Sequence, residues 1–109
     1  MCVTIPEMAL SAGYRKAQRL LSGWLEHDRT ARRQVFMMRA TIAALSAPDR
    51  HSLSRWLAWL HVAAISRGES ILARIQRLDP ALGASTELAL ARLPVNIVGE
   101  MLSKHRKSA

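Results

Sequence analysis

Apolar residues alternate at spacings of three and four through Tyr14, Ala17, Leu21, Trp24, Asp28, Ala31, Val35, Met38, Ile42 and Leu45. Nine of these ten positions are apolar or Ala, which is the spacing of a helix seam. Asp28 alone breaks it. With Thr4 as a cap and Pro6 in a first turn, the pattern predicts one helix from about Pro6 to Ser46. A hairpin is the alternative, with Gly23 and Asp28 marking the turn. The single helix is preferred because the phase is the same on both sides of GWLEHDRTARR. About 40 residues at 1.5 Å each make a rod of ~60 Å, longer than a compact domain of this size. Outside the seam the first half carries Arg15, Lys16, Arg19, Ser22 and Glu26, whereas the second carries Phe36, Met37, Ala40, Ala43 and Ala44. The second half is therefore expected in the core, and the first half is expected to offer one apolar face.

Ser46-Ala47-Pro48-Asp49 starts the next helix, Pro again standing where a first turn tolerates it. Its run RWLAWLHVAAI has no stripe, because Trp56, Leu57, Trp59, Leu60, Val62 and Ile65 point around the whole circumference. This helix is expected to continue through Gly68 to Leu78 and to end at Asp79-Pro80 and Gly83, with a break at Arg67-Gly68 as the alternative. Ser85-Thr86-Glu87 is then expected to cap a last helical region, kinked by Pro94. The fold class expected is all-α: one domain over residues 1–109, a bundle of three to five helices with a long N-terminal helix, fraying at 1–5 and 104–109. A helix that is apolar all round asks for cover that one small bundle lacks, so a homodimer is expected. Phe36, Met38, Trp56, Leu57 and Leu60 are its core and dimer residues.

Composition narrows the chemistry. Half of the 109 residues are apolar but few are aromatic, which suits helices built from Leu and Ala. A membrane-spanning helix needs about 18 apolar residues in a row, and the longest uncharged stretch, Trp56 to Ser66, has eleven. The start lacks the basic and long apolar regions of a secretory signal, so the chain is expected in the cytoplasm. One cysteine, Cys2, builds no disulfide framework. The net charge of +8 invites nucleic acid. Yet thirteen of the sixteen basic residues are Arg and seventeen residues are Ala, a pairing that a G+C-rich genome produces for any task, and the excess is spread along the chain.

No catalytic constellation stands out. His27, His51, His61 and His105 show no metal-ligand spacing, and no phosphate loop or nucleophile elbow is present. No cofactor and no metal are expected, and the chain is read as a non-enzyme. His61 is read as a hydrogen-bonded core or interface histidine. Ala64 to Gly68, AISRG, has the spacing of a helix-turn-helix, but Glu69, Arg74 and Arg77 stand where that motif wants apolar residues. The remaining class is a small regulatory protein that binds another protein and occludes a transcriptional or signalling regulator. Tyr14, Leu21, Trp24 and Trp59 are its expected anchors, and Arg29, Arg32 and Arg33 would face an acidic rim. A basic helical nucleic-acid-binding protein is the alternative.

Overall fold

The computed structural model describes residues 11–27 and 31–94. Five α-helices and no strand occur among them: α1 (Ala12–Glu26), α2 (Arg32–Ala43), α3 (Ala47–Ile65), α4 (Leu72–Leu78) and α5 (Pro80–Ala91). The chain divides into two compact units, residues 1–53 and 54–109, with the boundary inside α3. The expectations at Thr4 and Pro6, at the fraying ends and beyond Pro94 lie outside the described residues.

In the first unit the hairpin replaces the expected rod. α1 ends at His27, whose backbone is extended, and α2 begins after Ala31, which is extended as well. The two helices pack against each other. Each half of a hairpin that buries its stripe against the other needs the same three-four spacing as one long stripe, so that spacing holds on both sides of the break. Tyr14, Ala17 and Leu21 of α1 and Met38 and Ile42 of α2 are accordingly buried. Each of the large ones contributes about 1.5–3 kcal/mol by leaving water.

Local chemistry fixes the ends. Ser11 caps α1, its Oγ accepting from the Tyr14 N–H at 3.0 Å. The same hydroxyl donates to the buried Asp49 carboxylate in the first turn of α3. Burial raises the pKa of the Tyr14 phenol, and the negative Asp49 adds to the effect. Gln34 reaches back from α2 to accept from the Ala31 N–H at 3.2 Å, and Arg50 donates to the Leu45 carbonyl past the end of α2 at 3.1 Å.

The second unit corrects the expected continuous helix from Pro48 to Leu78. α3 stops at Ile65, and Gly68 turns the chain with φ 78°, a conformation that costs glycine little and other residues more. α4 follows. Asp79 then caps a further helix by accepting from the Leu82 N–H at 3.1 Å, with Pro80 in its first turn. Asp79-Pro80 thus opens α5, and Gly83 and Ser85-Thr86-Glu87 lie inside it. A Cβ on Gly83 would stand 2.7 Å from the Gln76 Cα, so the missing side chain is what lets α4 and α5 approach.

RWLAWLHVAAI is covered on one side from its own chain. Leu57, Ala58, His61, Val62 and Ala64 are buried, with Ala58 and Val62 against Ala89 and Leu93 and with Trp59 and Leu90 packed beside them. Trp56, Trp59, Leu60 and Ala63 are partly buried.

Candidate functional site

The expected anchors divide sharply. Tyr14 and Leu21 are core residues, 5% and 0% exposed, so they are not a partner surface. The reason is the hairpin, which turns their face inward onto α2. Trp24 is partly buried and lines a cleft of about 300 Å³ with Arg19, Leu20, Gly23, His27 and Gln34. Trp59 belongs to the cluster between α3 and α5. Arg32 and Arg33 are exposed at the start of α2, whereas Arg29 lies outside the described residues. Of the residues expected in the core or dimer interface, Met38 and Leu57 are buried and Trp56 and Leu60 partly so.

Phe36 is the clearest correction. It is 75% exposed, and Met37 beside it is 41% exposed. Ala40, Ala43 and Ala44 on the same side of α2 are exposed too, so the residues expected to be core form an outward apolar stripe. At 100° per residue, Arg32 and Arg39 follow one edge of this stripe and Arg33 stands at its N-terminal end. The stripe offers almost no hydrogen-bonding chemistry. The Thr41 hydroxyl, at its margin, donates to the Met37 carbonyl at 2.8 Å.

Beside the stripe lies an open groove of about 940 Å³. Met37, Ala40, Thr41 and Ala44 line it from α2, Gly13 and Lys16 from α1, and Leu45, Ser46, Pro48 and Asp49 complete the lining. The charges around it are one-sided. Among the described residues of this unit, Arg15, Lys16, Arg19, Arg32, Arg33, Arg39 and Arg50 are exposed, and Glu26 is the one exposed carboxylate. Asp49 is buried against Ser11.

In the second unit Leu88 and Ile65 are exposed apolar side chains, and Arg67 and Glu69, both well exposed, stand 3.8 Å apart. His61 is buried, burial lowers its pKa, and its Nδ1 accepts from the Leu72 N–H at 3.3 Å. This agrees with its reading as a hydrogen-bonded core histidine. No group of three His, Cys, Asp or Glu side chains is placed to hold a metal ion among the described residues. None of the described helices is long and apolar enough to cross a membrane.

No family model matches the chain, and neither a curated protein nor a solved structure matches it.

Proposed function

We propose that this chain is a non-enzymatic adaptor that holds another protein on the outward face of α2. The observation that carries the reading is the stripe of Phe36, Met37, Ala40, Ala43 and Ala44, left open by the hairpin and edged by Arg32 and Arg39. Exposed Phe and Met set among Arg are the residue types enriched at protein interfaces, and a contiguous apolar patch of this kind marks an interaction site more often than a passive surface. The cations suit a partner with an acidic rim. A partner gripped in this way loses access to the segment it surrenders, and occlusion is the action proposed on a transcriptional or signalling regulator.

Self-association is a separate part of the proposal. It falls on the partly buried side of α3 that carries Trp56, Trp59, Leu60 and Ala63, because two Trp and a Leu keep accessible surface there.

A photo-crosslinking residue at position 36 tests the reading, with the same residue at the exposed position 88 as control. In native cell extract, position 36 should give one discrete protein adduct that position 88 does not. Adducts to nucleic acid alone would move the reading to the basic nucleic-acid binder that the charge of +8 allows.

A further inference from the structure

We propose that the occupant of the α2 stripe and its groove is an amphipathic helix with carboxylates along its edge, supplied by a different protein. The proposal rests on the protein-binding reading above and adds the shape and charge of what binds.

The backbone chemistry of the surface selects a helix. The side chains of Phe36, Met37, Ala40, Ala43 and Ala44 present no donor, and no acceptor but the weak Met37 thioether, so an extended segment or loop laid along them would lose water from backbone groups without an adequate replacement. A helix arrives with those groups already paired. The floor also fits one. Ala40, Ala43 and Ala44 are small, which lets a second helix approach toward the lower end of the usual 8–10 Å interaxial range, while Phe36 stands up at one end as an anchor. The groove walled by Met37, Thr41 and Leu45 receives an apolar side chain from the neighbouring turn of the occupant.

Charge selects which helix. Arg32 and Arg39 are seven residues apart, roughly 10 Å along the axis, which matches carboxylates two turns apart on the occupant. Lys16 lines the groove from α1. With seven exposed cations in the described part of this unit and one exposed carboxylate, an acidic edge is attracted from both α1 and α2. A second copy docked through the same stripe would bring Arg32, Arg33 and Arg39 against themselves. Nucleic acid would meet cations with only Phe36 to stack between them, and the apolar stripe beside those cations would take water from a phosphate backbone without giving it a partner.

The experiment uses the full chain and a fluorescent peptide of about five helical turns, with Leu along one face and Glu on both edges. Its companion carries Lys in place of every Glu, and a duplex DNA is the third probe. Anisotropy titrations should show binding of the Glu peptide, weakened about tenfold or more by Phe36→Ala. The double variant Arg32→Ser/Arg39→Ser should weaken it and flatten its salt dependence. The Lys peptide should not bind. Equal binding of the two peptides, indifference to Phe36→Ala, or tight binding of the duplex alone would overturn the proposal. Self-association abolished by Phe36→Glu would overturn it too, by making the occupant a second copy. If the Glu peptide fails while position 36 still crosslinks to a protein, the acidic helix is wrong and the protein-binding reading stands. If both fail, both are wrong.

Discussion

The Leu72 N–H donates to His61 Nδ1 at 3.3 Å, across the turn that separates α3 from α4. α4 has no side-chain cap of its own, since Ile71 occupies the capping position. A first-turn N–H has no partner within its helix, so the imidazole of the preceding helix supplies one. That holds His61 as the neutral acceptor.

This makes the second unit sensitive to acid. Burial lowers the His61 pKa from its ordinary 6.5, so the folded form holds its proton less tightly than the unfolded form. The stability this contributes is complete above about pH 6.5 and is lost as pH falls below that value through the lowered folded pKa. Thermal melts should therefore fall between pH 7.5 and 5, and His61→Phe should flatten that slope. The substitution should also cost about 1–3 kcal/mol at neutral pH by leaving the Leu72 N–H unpaired.

Two glycines should respond in opposite directions. Gly83→Ala puts a methyl group 2.5 Å from Gln76 Cγ and 2.7 Å from its Cα. The forced separation of α4 and α5 costs roughly 1–3 kcal/mol, against about 1 kcal/mol gained in helix propensity. The net effect should be a loss. Gly23, within α1, has nothing within 4 Å of an added Cβ, so Gly23→Ala should stabilise by about 0.5–1 kcal/mol. Denaturant midpoints measured side by side check the pair.

Ser11→Ala should cost more than an ordinary cap. It removes the acceptor for the Tyr14 N–H and the donor to the buried Asp49 at once. The cap alone accounts for about 0.5–2 kcal/mol, and the carboxylate left without its donor adds to it. Ser11→Ala in an Asp49→Asn background should then cost less than in the native chain. Equal costs in the two backgrounds would show that the two groups are not coupled.

Leu57→Ala should cost about 2–5 kcal/mol, the range for a fully buried Leu, because Leu57 has no exposed surface. Trp59→Ala and Leu60→Ala should cost less, as both keep a wet side. Chemical denaturation ranks the three.

Much of the fold is legible along the chain. Of the positions that the three-four alternation selects, Tyr14, Ala17, Leu21, Met38, Ile42 and Leu45 are buried, Trp24 and Val35 are partly buried and Ala31 is exposed, and Ser46-Ala47-Pro48 marks the start of α3. The connectivity is less legible. A hairpin and a rod need the same three-four spacing within each helical half, so the alternation alone does not separate them, and the break rests on the extended backbone at His27 and Ala31. Gly68 is visible in the sequence, but its positive φ is a property of the turn. The site is the least legible part. Phe36, Met37 and the alanines of α2 read as core by composition, and only the packing of the hairpin shows that they face outward.

The most direct test of the α2 surface is Phe36→Ala, followed by two readouts on one preparation. Because Phe36 is 75% exposed, melting should be unchanged within about 0.5 kcal/mol. The affinity for the protein crosslinked at position 36 should fall about tenfold or more, as expected for an interface anchor, with the loss mainly in faster dissociation. Unchanged affinity at unchanged stability would contradict the account.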